Sequence, residues 1–107
     1  MPDTFQFEII TPERVFYSAT VSSLVAPGTE GYFGVLAHHA PLLARSSGGK
    51  LKVRETTNQE RMFEVGPGIV EVLPARLRGN LGAGEKTDRV VFFTKQAQSV
   101  SDETKSQ

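Results

Sequence analysis

Two adjacent histidines, His38 and His39, are the side chains of this sequence best suited to metal binding or acid–base chemistry. Neighbouring side chains on a strand point to opposite faces, and the chain contains no cysteine. A shared metal ion would therefore need carboxylates from distant parts of the chain. We interpret the pair as loop histidines that bond to the backbone or lie at a protein contact, and we expect no metal site.

Three further patterns could support chemistry, and each has a simpler interpretation. Ser46 or Ser47 could join a histidine and an acid in a triad, but neither serine lies in a nucleophile-elbow sequence. Residues 79–84, Gly-Asn-Leu-Gly-Ala-Gly, resemble a phosphate loop without its Gly-Lys-Ser/Thr ending, and we interpret them as a turn. A mildly basic stretch, either solvated or facing an acidic partner, contains Arg76, Arg78, Lys86 and Arg89. We therefore predict no catalytic residues and no cofactor.

Composition narrows the class of protein further. The chain has 107 residues, of which 38% are hydrophobic and 22% charged, which is typical of one soluble domain. Twelve basic and twelve acidic side chains leave no net charge, so neither a nucleic acid nor an anionic membrane is an expected partner. The apolar runs are much shorter than the ~20 residues of a membrane-spanning helix. We expect no direct insertion into a membrane.

Short alternating segments separated by Gly, Pro and polar turns predict an all-β fold. We expect residues 1–95 to form the domain, with residues 74–88 as a long loop that could hold a weak strand at Leu77–Leu81. Residues 96–107 are polar and are expected to form a frayed tail. The expected strands are residues 5–10, 15–17, 20–26, 32–36, 42–44, 51–54, 61–65, 69–73 and finally 89–94. The phenylalanines expected in the core or against the sheet are Phe5, Phe7, Phe63, Phe92 and Phe93.

Three ordered blocks carry a resemblance to a known family. Residues 25–43, VAPGTEGYFGVLAHHAPLL, hold a Gly-x-x-Gly around a short strand and then His-Ala-Pro-Leu-Leu. Residues 7–16, FEIITPERVF, precede this block. Residues 49–53, GKLKV, and 63–72, FEVGPGIVEV, follow it. In this order and spacing the sequence resembles the epsilon subunit of F-type ATP synthases.

The resemblance implies a flattened β-sandwich of two sheets with about ten short strands. It also implies a non-catalytic central-stalk subunit that binds the gamma subunit and the membrane rotor ring and helps couple rotation to ATP synthesis, driven by protons or another ion. Such a subunit is held by its partners at the cytoplasmic face of a bacterial cell membrane. A sandwich with interlocked side chains suits this mechanical role because it deforms little under torque.

The resemblance also implies two partner-binding regions. By position, the turn at Glu30, Gly31 and Tyr32 matches the segment that faces the rotor ring. The positions that match the gamma-facing surface are Thr11, His39, Leu42 and Ala44.

Two departures from the family pattern limit what the resemblance implies. The family places its last sandwich strand soon after Gly-Ile-Val-Glu-Val, whereas residues 74–88 intervene here if residues 89–94 are that strand. The alternative is that Leu77–Leu81 is the counterpart; we favour residues 89–94 because their Val and Phe residues suit a strand better. The C-terminal helical hairpin of the family is also missing from this sequence, so its inhibitory and ATP-binding activities are not expected.

Two other classes of protein remain open from the residues alone. One is a generic β-sandwich adaptor domain outside the ATP synthase, which would form no stable complex with a gamma subunit. The other is a small β-sandwich hydrolase or metalloenzyme, which would need a pocket with convergent polar groups.

Overall fold

The computed structural model describes residues 4–74 and 88–100, and this part of the chain is built from strands without a helix. The all-β prediction is confirmed. The nine strands are β1 (Phe5–Thr11), β2 (Arg14–Gly28), β3 (Gly31–Leu36), β4 (Leu42–Ser46), β5 (Gly49–Glu55), β6 (Glu60–Val65), β7 (Gly68–Leu73), β8 (Asp88–Thr94) and β9 (Ala97–Ser99).

The strands form one hydrogen-bonded sheet in the order β4-β7-β8-β1-β2-β5-β6-β9, with β3 also paired to β2. β2 joins two layers, because its first half pairs with β1 and its second half pairs with β3 and β5. We call β4, β7, β8 and β1 the first layer, and β3, β5, β6 and β9 the second layer. The sandwich thus has layers that share a strand, rather than two separate sheets.

The length of β2 corrects one expectation. Residues 15–17 and 20–26 were predicted as two strands, but Arg14–Gly28 is a single strand of 15 residues. Its pairing with β1 continues through Ser18 and Ala19, whose types gave little strand signal locally. A partner strand therefore determines the conformation of these residues.

The two layers enclose one apolar core. Alternate residues of β1 (Phe5, Phe7 and Ile9) are fully buried, and they join buried residues of β2, β3, β5, β6, β7 and β8 in a single cluster. The register of β1 and β2 shifts at Ile9/Ile10, which leaves Phe16 as the extra residue of a bulge. Because of this bulge, Phe16 and Tyr17 both pack against the core.

The last two strands correct the prediction that residues 89–94 form the final strand and residues 96–107 a frayed tail. β8 lies between β7 and β1, antiparallel to β7 and parallel to β1, so residues 89–94 do form a strand of the sandwich. They are not the final strand, because β9 follows and pairs with β6 from Phe63 to Val65. Ala97–Ser99 is therefore ordered sheet and not a frayed tail. Leu77–Leu81, Gly79–Gly84 and most of the predicted loop 74–88 lie outside the described residues.

A cluster of three polar side chains links β2, β5 and β6 at the edge of the core. The Tyr17 hydroxyl donates to Glu55 Oε2 at 2.5 Å, and Arg61 Nε donates to the same oxygen at 3.0 Å. The Tyr17 ring packs 4.6 Å from the Phe63 ring. The hydrogen bond from Tyr17 and the charge of Arg61 hold the pKa of Glu55 below its ordinary value, whereas burial and the bond to Glu55 raise the pKa of Tyr17.

This cluster predicts a specific loss of stability in acid. The folded state favours the Glu55 carboxylate, so its contribution is present above the unfolded-state pKa of 4.5 and disappears as the pH falls through the lower folded-state value. We expect the difference in unfolding free energy between wild type and Glu55→Gln to be largest near neutral pH and to shrink in acid. Urea unfolding of both proteins at a series of pH values measures this difference.

Glu64→Gln is the matched control, because Glu64 is exposed and has no ion pair or side-chain hydrogen bond within residues 4–74 and 88–100. It should change stability little at any pH. A difference between wild type and Glu55→Gln that stays constant with pH would contradict the assignment.

Candidate partner-binding surfaces

An apolar stripe crosses the outward face of the first layer. Ile69 of β7 lies opposite Phe93 of β8, Phe93 lies opposite Ile10 of β1, and Ile10 lies opposite Val15 of β2. Directly paired residues share a face, so the four side chains form one row. The exposed fractions are 44% for Ile69, 42% for Phe93 and 52% for Val15. Such a contiguous exposed apolar row is typical of a protein contact.

The stripe continues into an open groove of about 410 Å³ at the end of the layer. Proline and glycine residues of two turns form its walls, and Thr11 and Lys95 supply polar groups at its rim. The Thr11 hydroxyl donates to the Arg14 carbonyl oxygen at 3.2 Å, which fixes this turn. The lining residues are Ile10, Thr11, Pro12, Pro67, Gly68, Ile69, Phe93, Thr94 and Lys95.

The opposite end of the same face is polar. Arg89 donates to Glu8 Oε1 at 2.7 Å, and Ser18 donates to Glu8 Oε2 at 3.3 Å. Gln6 exchanges hydrogen bonds with Ser18 and Thr20 on β2. These polar groups already form hydrogen bonds with one another. A partner would therefore gain more binding free energy by covering the apolar end of the face.

A second candidate surface is the tip of the β2–β3 hairpin. Gly28 pairs with Gly31, and Gly31 has a φ of 120°, a conformation that glycine adopts without strain. Tyr32 is 60% exposed, and its hydroxyl accepts a hydrogen bond from the Lys50 amide at 3.2 Å. The tip faces β4 across a groove of about 460 Å³ lined by Gly28, Thr29, Glu30, Gly31, Tyr32, Phe33, Ala44 and Arg45.

The structure separates the residues predicted for the gamma-facing surface. Leu42 and Ala44 point towards the interior of the sandwich, where Leu42 packs against the core, and the alternating Leu43 and Arg45 point outwards. Leu43 is 72% exposed. Thr11 lies at the end of β1 beside the apolar groove, whereas Ala44 lines the groove at the hairpin tip.

His39 lies in the connection between β3 and β4, before Leu42, and Leu42 pairs with Val72 at the far end of the layer from Thr11. Its Nδ1 donates to the Ala40 carbonyl oxygen at 2.7 Å, in agreement with a loop histidine bonded to backbone. His38 has a φ of 68°, and its amide donates to the buried Asp88 carboxylate at 2.5 Å. Asp88 thus ties this turn to the start of β8.

Neither a serine triad nor a metal site is assembled in the described part of the chain. The Ser46 hydroxyl accepts from the Gly48 amide at 3.0 Å, and Ser47 bonds to the Gly28 carbonyl, so neither serine is bonded to a histidine. No three metal-ligating side chains converge among residues 4–74 and 88–100. Within the same residues, no helix is long and apolar enough to cross a membrane.

Several surface residues were missed from sequence. Ile69 and Phe93 each lie next to a buried residue on their strand, and Leu43 lies between the half-buried Leu42 and Ala44, so alternation would have placed all three outside. Phe93 was expected in the core or against the sheet because residues 90–93 form a continuous apolar run, whereas the other four phenylalanines of that prediction are buried. The local sequence around Arg45 and Asp88 did not identify them as surface or linking residues, because their spatial neighbours belong to other segments of the chain.

The fold and these two surfaces define a β-sandwich domain suited to contacts with other proteins. Residues 4–78 match the family described as ATP synthase, Delta/Epsilon chain, beta-sandwich domain. The chain therefore belongs to this family, which confirms the resemblance found in the sequence and the prediction of an accessory, non-catalytic chain.

Curated relatives bear the name ATP synthase epsilon chain. The chain is 37% identical to that of Mesorhizobium japonicum over 75 residues, which covers 70% of this chain and 56% of the relative. It is 40% identical to that of Chlorobaculum tepidum over 68 residues, covering 64% of this chain and 77% of the relative. The chain thus spans little more than half of the Mesorhizobium protein and most of the Chlorobaculum one.

Solved structures share the fold. A chain of the Euglena gracilis mitochondrial ATP synthase, in a cryo-EM structure of OSCP, F1 and c-ring, superposes with a TM-score of 0.73 at 17% identity, covering 97% of this chain and 60% of that one. A chain of the Tetrahymena thermophila central stalk and c-ring gives a TM-score of 0.63 at 18% identity, covering 88% of this chain and 65% of that one. At this identity the likeness concerns the fold.

Proposed function

We propose that this chain is a rotor subunit of an F-type ATP synthase that binds the gamma subunit through the first layer and the membrane rotor ring through the β2–β3 tip. Membership of the delta/epsilon family supports the assignment to the synthase. In this role the domain transmits rotation of the ring, driven by protons or another ion, to ATP synthesis, and its partners hold it at the cytoplasmic face of a bacterial membrane.

The observation that carries the gamma contact is the apolar stripe of Ile69, Phe93, Ile10 and Val15. Burial of apolar surface stabilises an interface by roughly 25 cal/mol per Å², and aromatic side chains are enriched at its centre. The stripe merges with the groove beside Thr11, one of the positions predicted to face gamma. We therefore centre the proposed gamma contact on the outward residues of this layer, with Leu43 in place of the inward Leu42 and Ala44.

The ring contact is supported by the shape of the tip. Glu30, Gly31 and Tyr32 are all exposed at the hairpin tip, where the missing side chain of Gly31 leaves open space. A glycine here lets a partner backbone approach closely, and Tyr32 offers an aromatic surface beside it. These three residues remain our prediction for the ring side.

Gamma binding tests the proposal directly. We expect Phe93→Asp to weaken binding to the purified gamma subunit at least tenfold (~1.4 kcal/mol), because a carboxylate at the centre of the stripe would be desolvated without a partner. Isothermal titration calorimetry with the wild-type chain and the variant measures this difference.

Val25→Asp is the matched control, since Val25 is 37% exposed on the outward face of the second layer. It should bind gamma as the wild type does. A wild-type chain without measurable affinity for gamma would reject the proposal and favour the generic adaptor domain. Equal losses in both variants would reject the first layer as the contact.

A further inference from the structure

Two charged side chains line the groove of the hairpin tip, and we propose that Arg45 acts with Glu30 in recognising the rotor ring. Glu30 belongs to the predicted ring-facing turn, whereas Arg45 lies on β4 of the other layer. Both line the same groove of about 460 Å³. This inference rests on the proposed contact between the tip and the ring.

A backbone hydrogen bond fixes the position of Arg45 beside the tip. The amide of Thr29 donates to the carbonyl oxygen of Arg45 at 3.2 Å and joins the hairpin to the outer edge of β4. Since Ala44 faces the interior, the alternation of β4 directs the Arg45 side chain to the outside. The sandwich therefore holds the arginine and the glutamate at one site, although fourteen positions separate them in the sequence.

Neither charge is neutralised within the described residues. Other arginines of the domain form ion pairs, such as Arg54 with Glu60 at 2.7 Å and Arg61 with Glu55 at 3.0 Å. Glu30 and Arg45 form no ion pair within residues 4–74 and 88–100, and both are exposed. Unpaired surface charges cost little in water and remain available for a partner of opposite charge.

The groove determines the chemistry of the partner segment. A basic side chain of the partner would face Glu30, and a carboxylate or carbonyl oxygen would accept the fork of Arg45 donors. Tyr32, Phe33 and Ala44 give the groove an apolar part, and nothing lies within 4 Å of the space that a side chain would fill at Gly31. The ligand that fits is a short polar loop carrying both a base and an acceptor, exposed by the ring.

Ring affinity of single-charge variants tests this assignment. We expect Arg45→Ala and Glu30→Ala each to weaken binding to the detergent-solubilised rotor ring of the same synthase about tenfold at low ionic strength. The loss should shrink in high salt, where exposed charges are screened. Arg45→Lys should recover part of the affinity, because it keeps the charge without the planar fork. Biolayer interferometry with the immobilised full chain measures each affinity.

Lys95→Ala is the reciprocal control, because it also removes one exposed positive charge but lines the groove beside Thr11. It should leave ring affinity unchanged. If Glu30→Ala weakens ring binding while Arg45→Ala does not, the role of Arg45 is refuted and the ring contact survives. If the wild type does not bind the ring, both proposals fail. Unfolding midpoints of the variants exclude a loss of fold, and Arg45→Gln replaces Arg45→Ala if that variant is unstable.

Discussion

Replacing Phe92 by alanine is expected to destabilise the domain by ~3–5 kcal/mol. The side chain is completely buried and lies between Ile9 of β1 and Val70 of β7, so its removal leaves a cavity bounded by three adjacent strands. A domain of this size has a total stability of only ~5–15 kcal/mol. Urea unfolding followed by circular dichroism should show a midpoint shifted to much lower denaturant.

The next residue provides the control for this prediction. Phe93 has the same side chain on the same strand but points outwards and is 42% exposed. Phe93→Ala should cost no more than ~1 kcal/mol of stability and should weaken gamma binding, whereas the effect of Phe92→Ala is on stability. Similar losses of stability in the two variants would mean that Phe93 is a core residue and that the apolar stripe is not a contact surface.

Replacing Gly68 by alanine is expected to cost ~3 kcal/mol. Gly68 begins β7 opposite Ser46 of β4 and Thr94 of β8. A β-carbon at this position would collide with the Phe93 carbonyl oxygen, which is part of the backbone and cannot rotate away. The β7–β8 pair would have to separate at this end, and the groove beside Thr11 would change shape with it. The unfolding midpoint measures the cost.

Gly34→Ala is the matched substitution on another strand. The nearest atom to its added β-carbon is the Leu24 carbonyl oxygen at 3.8 Å, an ordinary van der Waals distance. We expect this variant to be as stable as the wild type or more stable by ~0.5 kcal/mol, because alanine restricts the unfolded chain. If the Gly68→Ala and Gly34→Ala domains unfold at the same midpoint, β7 can move to accommodate the methyl group without loss of stability.

Alternation alone predicted most of the strands of the sandwich. Phe5 and Phe7, both expected in the core or against the sheet, are buried because every second residue of a half-buried strand meets the same face. The same reasoning failed where the pattern was interrupted. The bulge at Phe16 turns two successive aromatic side chains inwards, and no local feature of residues 14–28 shows that they form one strand.

Residue types and their spacing along the chain are enough to give the all-β class, the buried face of β1 and membership of the delta/epsilon family. Which exposed residues lie side by side depends instead on how the strands pair. Ile69 and Phe93 become neighbours through the pairing of β7 and β8. Glu30 and Arg45 line one groove because the β2–β3 tip lies beside β4 of the other layer. Strand pairing is non-local, so no window of sequence contains the information that assembles either surface.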